Sequence, residues 1–279
     1  MRREIVAFPS HGLTLRGIVE WSEAPTTDGV LLLHGWGGYR VGPHGILRAA
    51  AEELTDQGLA CLRFDFRGRG DSDGDVREHD LNSQIEDAKV AAQYMQETHG
   101  CERIYLIGIC SGGEVAVGAM HDGLRVAGAA LWSAPVFSAE ATAGRKIRKS
   151  ASYLGGYVRK VFRPATWRKL LAGRVRFDII KRVLLGGGTH EKKEGERAEI
   201  APDEALAGGA DSVLLVYGTA DPIAAEAIER YTGLFSRSGS AVRLERIEGA
   251  NHGFYSGPWS RRVVELTAEW LREVRQAKT

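Results

Sequence analysis

Cysteine is scarce in this chain. There are three in 279 residues, Cys61, Cys101 and Cys110, too few and too odd in number for a disulfide framework. They suit a reducing compartment, where a thiol can serve as a working group. Long apolar runs are missing as well, and none approaches the roughly 20 residues that a bilayer-spanning helix needs. The opening Met1-Arg2-Arg3 imitates the basic start of an export signal, but Glu4 and Pro9 follow it without an apolar core. No export signal is read, and a cytoplasmic location is expected. An excess of charge is also lacking. The formal net charge is +1, with 26% charged and 43% hydrophobic residues, the balance of an ordinary soluble globular protein. That balance gives no reason to expect a nucleic-acid partner. Internal repeats and low-complexity tracts are absent too.

What is present is a βα rhythm. The length suits one large α/β domain with an insertion, or two small domains. Residues 4–8 and 13–21 read as an antiparallel pair turning at His11-Gly12. Short apolar runs at 30–33, 60–64, 104–109, 126–132 and 213–217 read as buried strands, and 241–247 alternates as a last strand. Helical patterns separate them at about 45–57 (closed by Gly58), 82–98, from Ser111 onward, 223–236 and 259–277. Strands alternating with helices predict a mostly parallel sheet with helices on both faces. The rhythm breaks between 133 and 210. The expected organisation is therefore a core of residues 1–132 and 211–279 with a helical cap inserted at 133–210. Within that insertion, residues 145–182 carry thirteen Lys and Arg against one acid, Asp178.

The densest chemical signal lies at Gly108-Ile109-Cys110-Ser111-Gly112-Gly113, between a strand and a helix. This is the form of a nucleophile elbow, a tight turn that lifts one side chain above the sheet edge. Register decides which one. With Cys110 central, both positions two residues away are glycine; with Ser111 central, the preceding one is Ile109, which does not fit the crowded turn. A free cysteine is more often a small core residue, but this strand–turn–helix context favours a nucleophile. The helix N-terminus at Ser111 favours a thiolate, whose free pKa is about 8.5.

The partners follow in the order nucleophile, acid, histidine. Asp221 stands past a strand and before Pro222, where a helix N-cap is the alternative reading. His252 follows the last strand and precedes the last helix. The other histidines fit less well; His34 ends a strand too early in the order. An oxyanion hole needs two backbone amides. Ser111 is expected to supply one and Trp36, in His34-Gly35-Trp36-Gly37-Gly38, the other, with Gly35 close to the substrate. A glycine-rich loop after a strand can instead cradle phosphate, but neither a Walker lysine nor the dinucleotide spacing is present. The loop Asp65-Phe66-Arg67-Gly68-Arg69-Gly70-Asp71-Ser72 suggests a metal or anion site at first sight. Without a supporting His or Cys cluster it reads as a rigid, hydrogen-bonded loop, and no metal or cofactor is expected.

Together His34-Gly35, the 65–70 loop, the Cys110 elbow, Asp221 and His252 resemble the α/β-hydrolase superfamily over nearly the whole chain. That resemblance implies the α/β-hydrolase fold, with an eight-stranded, mostly parallel sheet. Within the superfamily the chain is similar to the serine-aminopeptidase-like (S33) group. It is closer still to exosortase A system-associated hydrolases, through the elbow cysteine and the stretch Trp167-Arg168-Lys169-Leu170-Leu171-Ala172-Gly173-Arg174-Val175. Trp167 is taken from that stretch as a substrate-binding candidate. Dienelactone hydrolases resemble the chain at the elbow only.

The expected chemistry is hydrolysis of an ester or thioester of a small acyl substrate through an acyl-cysteine. An acyltransferase using the same residues is a second reading, and a catalytically silent binding protein a third, against which the intact set of three argues. The basic insertion reads either as a cap with a solvated cationic face or as an attraction for an anionic carrier or membrane surface.

Overall fold

The computed structural model describes residues 1–137 and 206–277. The expected cap, with Trp167 and the basic segment 145–182, lies almost wholly outside the described residues.

The chain opens with β1 (Arg2–Ser10) and β2 (Leu13–Trp21), paired antiparallel from Ser10↔Leu13 outward. His11 and Gly12, at φ 48° and 80°, form the two-residue turn. Left-handed geometry at both central positions matches the twist of the strands it joins. β1 runs beyond the expected 4–8 because the turn fixes the register and Val6, Phe8 and Ser10 keep alternating inward. Pro9 is tolerated because β1 is an edge strand.

Six strands follow: β3 (Asp28–Leu33), β4 (Ala60–Phe64), β5 (Arg103–Ile109), β6 (Arg125–Trp132), β7 (Gly209–Gly218) and β8 (Ala241–Ile247). The sheet order is β1-β2-β4-β3-β5-β6-β7-β8. β1 and β2 are antiparallel, and β3 to β8 run parallel. β7 reaches back to Gly209, pairing Gly209 with Arg125 and Ala210 with Val126. Glycine and alanine are poor strand formers, so the sequence pattern marks this strand only from Val213.

The helices among the described residues are α1 (Ile46–Asp56), α2 (Leu81–His99), α3 (Ser111–His121), α4 (Ala224–Arg237) and α5 (Gly257–Gln276). Asp80 caps α2 by accepting from the Ser83 amide, and Gly100 closes it in the left-handed region. Strand residues sort by parity between two cores. Leu31, Leu33, Leu106, Leu131 and Leu215 face α2, α3 and α4. Val30, Leu32, Ile107, Trp132 and Val216 face α1 and α5. Both faces are thus covered, which is why these strands read as continuous apolar runs. Among the described residues no helix is long and apolar enough to cross a membrane.

Candidate active site

In this sheet the chain goes from β3 to β4 on one side and then crosses back to β5 on the other side of β3. Loops at the carboxyl ends of strands around such a reversal form a crevice. The predicted site residues among those described stand at the carboxyl ends of strands along this edge. His34, Gly35 and Trp36 follow β3, Cys110 follows β5, Asp221 follows β7 and His252 follows β8.

Cys110 has φ 55° and ψ −129°, a strained conformation between β5 and α3. The flanking glycines explain how the chain makes that turn. A methyl on Gly108 would collide with the Gly112 carbonyl, and one on Gly112 with the Leu33 carbonyl. Gly113 is required for a separate reason, since a methyl there would strike Ala134. The turn is closed by bonds from the Cys110 amide to the Trp132 carbonyl and from the Gly113 amide to the Cys110 carbonyl, both 2.9 Å. Cys110 is half-buried, while Cys61 and Cys101 are buried and burial pushes both thiols up, to about 12 and about 11.

His252 links the other two expected residues. Its Nδ1 lies 3.0 Å from Asp221 Oδ2 and its Nε2 lies 3.2 Å from Cys110 Sγ. Burial alone would raise the Asp221 carboxyl. Its hydrogen bond to His252, the Ser133 hydroxyl nearby and the bond from the Ile223 amide outweigh that and hold it below its ordinary value. An ionised carboxylate only accepts, so Nδ1 carries a proton and Nε2 faces the sulfur. The bond to Asp221, then the contact with Cys110, raise the His252 imidazole to about 10 despite partial burial. The helix-capping alternative at Asp221 is not realised: α4 starts at Ala224 with Ile223 at its N-cap and no side-chain cap, and Asp221 Oδ1 accepts from the Ile223 amide at 3.2 Å in the turn before the helix.

The 34–40 loop lies against the elbow. A methyl on Gly35 would stand 3.3 Å from Cys110 Cβ and 3.7 Å from Sγ. The Trp36 amide, expected to face an oxyanion, donates to the Ser111 hydroxyl at 2.5 Å. His34 is buried and fixes this loop. Its Nδ1 donates to the Gly35 carbonyl at 2.9 Å, leaving Nε2 to accept from the Phe66 amide at 3.4 Å. Burial pushes its imidazole down to about 4, so it stays neutral at ordinary pH.

The 65–72 loop is hydrogen-bonded as the sequence leads one to expect, but its partners in the 36–40 segment were not legible there. Asp65 is fully buried and accepts from the Arg40 amide at 2.6 Å, from the Asp71 amide at 3.0 Å and from the Arg40 guanidinium. Arg69 donates from Nε to the Trp36 carbonyl at 2.9 Å and stacks 4.6 Å from the centre of its ring. The one sequence signal for this was Gly70, at φ 48°, where any side chain would run into the Asp65 carboxylate.

The structure thus brings a thiol, an imidazole and a carboxylate into one hydrogen-bonded line on loops at this sheet edge. Residues 30–266 match the Alpha/beta hydrolase family, and the chain belongs to that family. Two curated relatives share part of its sequence. The quorum-quenching protein AidA of Acinetobacter baumannii is 37% identical over 106 residues, covering 35% of this chain and 34% of AidA. The polyketide transferase GrgF of a Penicillium species is 33% identical over 138 residues, covering 48% of this chain and 45% of GrgF. The chain thus spans less than half the length of either relative. Among solved structures, Est1E of Butyrivibrio proteoclasticus, with ferulic acid bound, superposes with a TM-score of 0.63 at 18% identity. The superposition covers 97% of this chain and 99% of Est1E, a likeness of fold.

Proposed function

We propose that the protein cleaves ester or thioester bonds through a covalent acyl-cysteine on Cys110. The observation that carries this reading is the placement of His252 between Asp221, at 3.0 Å, and Cys110, at 3.2 Å. His252 takes or holds the thiol proton. Cys110 attacks the carbonyl carbon and forms a C–S bond, and the carbonyl electrons move onto oxygen beside the Ser111 and Trp36 end of the elbow. As the tetrahedral intermediate collapses, His252 gives its proton to the departing alkoxide or thiolate. It then activates water, which releases the acid and restores the thiol. Asp221 keeps Nδ1 protonated throughout.

The test is intact-mass spectrometry after exposure to a panel of activated esters and thioesters. The expected result is an acyl adduct on Cys110 that disappears in Cys110→Ala. An adduct on Ser111 would overturn the assignment.

One observation favours acyl transfer as a second reading: GrgF, the longer of the two matches, is named a polyketide transferase. A thioester intermediate is more reactive than an oxygen ester, so an amine or alcohol acceptor can compete with water. Product analysis with and without an acceptor separates the two outcomes. The narrower kinship with exosortase A system-associated hydrolases, the substrate contact at Trp167 and a cytoplasmic setting belong to this proposal too. So does an anionic carrier or membrane surface meeting the basic 145–182 segment. A steep loss of kcat/KM with added salt supports the anionic partner, and a flat profile removes it.

A further inference from the structure

We propose that the Ser111 side chain, and not only its backbone amide, donates to the oxyanion in the reaction proposed above. On that reading the Trp36 amide acts through the hydroxyl.

Three observations lead there. First, the Trp36 amide is already committed, because it donates to Ser111 Oγ at 2.5 Å. Second, Trp36 is held so that this amide has little freedom to turn elsewhere. Arg69 Nε takes its carbonyl at 2.9 Å, and the guanidinium stacks on its ring at 4.6 Å. The peptide that carries its amide is fixed at the other end, where the Gly35 carbonyl accepts from the Gly38 amide and from His34 Nδ1, both at 2.9 Å. Third, Ser111 is only 2% exposed, and among the described residues no acceptor takes the proton of its hydroxyl. A buried hydroxyl that accepts one bond and donates none leaves a donor unsatisfied.

The reaction supplies the missing acceptor. Ser111 is the residue next to Cys110, and Gly35 lies against the same sulfur. Oxygen charge that develops as Cys110 attacks a carbonyl therefore forms beside this hydroxyl. Trp36 N–H to Ser111 Oγ, and Ser111 O–H to the oxyanion, then make a chain in which the first bond polarises the second. The serine proton is shared with the oxyanion and returns with collapse of the intermediate, so no proton is gained or lost at Ser111.

The inference rests on Cys110 as the nucleophile, and the experiment separates the two. Acylation by an activated ester is followed by intact mass in wild type, Ser111→Ala and Ser111→Thr. Alkylation of Cys110 by iodoacetamide, which develops no oxyanion, is followed in parallel. Loss of one oxyanion donor slows acylation by about 100-fold or more. Ser111→Ala is expected to show that loss with half-saturation within about threefold of wild type and alkylation unchanged. Ser111→Thr, which keeps the hydroxyl, is expected to recover most of the rate. Acylation of Ser111→Ala at the wild-type rate or faster would refute the inference, since the hydroxyl then only fills or blocks the hole. An equal fall in alkylation and acylation would also refute it, by assigning Ser111 to the shape of the elbow. Absence of any wild-type adduct on Cys110 would remove the nucleophile reading, and this inference with it.

Discussion

Replacing Asp221 with asparagine changes one atom type at a buried position and tests the proposed role of the Asp221–His252 pair directly. Oδ1 accepts from the Ile223 amide and Oδ2 faces His252 Nδ1. Asparagine keeps the first bond by placing its carbonyl there, which turns its NH2 toward Nδ1. Nδ1 must then accept, and the single proton of a neutral imidazole moves to Nε2, the atom facing sulfur. The protonation equilibrium shifts as well. The bond to Asp221 is the largest cause raising His252 from 6.5 to about 10. At pH 8 an imidazole at about 10 is roughly 99% protonated and one at 6.5 roughly 3%. Loss of imidazolium alone can therefore cost at most about 30-fold at that pH. Cys110 also raises His252, so the realised fall is smaller, and the wrong tautomer supplies the rest. A total loss of about 100- to 1,000-fold in acylation rate is expected, below the roughly 10,000-fold reported by the general serine template because a thiol needs less help. The assays are acylation by intact mass at pH 8 and a pH titration of the His252 imidazole resonance. In wild type the imidazolium is present below 6.5 and persists until pH rises through about 10; in Asp221→Asn it is lost well below that. Acylation within threefold of wild type, with an unmoved titration, would refute the reasoning.

Gly112→Ala places a methyl against the Leu33 carbonyl inside the elbow and is expected to cost about 3 kcal/mol or more by urea unfolding. Gly37→Ala, with open space around the new methyl and no positive φ, serves as the matched control and should change stability by less than about 0.5 kcal/mol. Asp65→Ala leaves the Arg40 guanidinium and two amides without their buried acceptor, and a loss of about 3–5 kcal/mol is expected in the same assay. His34 is held down to about 4 by burial, against 6.5 when unfolded. The unfolded chain therefore binds a proton that the folded chain refuses between those values, so stability falls on acidification from about 6.5 to 4, by up to about 3 kcal/mol. His34→Gln should lose that part of the pH dependence of the urea midpoint.

The features legible in the sequence are those that short-range rules control. Gly108 and Gly112 announce the elbow because crowding at a strand-to-helix turn excludes any Cβ at both positions. The order of Cys110, Asp221 and His252 follows from where β5, β7 and β8 end. Strand parity was hidden, because a strand covered on both faces has no alternation to read; Leu31 and Leu32 look alike and face different cores. The Arg40–Asp65 and Arg69–Trp36 clamps were hidden for another reason. They join residues 25 and 33 positions apart, and no local pattern specifies which arginine meets which acid or carbonyl.

At two positions one residue serves both a local turn and a contact within the candidate site. At Asp221 the sequence allows a helix cap or a partner for histidine; the side chain caps no helix, but it holds the turn before α4 as well as facing the imidazole. Its two oxygens divide the tasks, Oδ1 holding the turn at Ile223 and Oδ2 facing His252. The turn is what aims the second oxygen, so the local role is a condition of the other. Ser111 repeats the logic. Its backbone starts α3 behind Cys110, while its hydroxyl reaches across to the Trp36 amide. A choice between one role and the other fails at such residues because a side chain with two polar valences can serve both. The physical question is what occupies each valence. At Asp221 both are filled within the protein. At Ser111 one is left over, in the residue that follows Cys110.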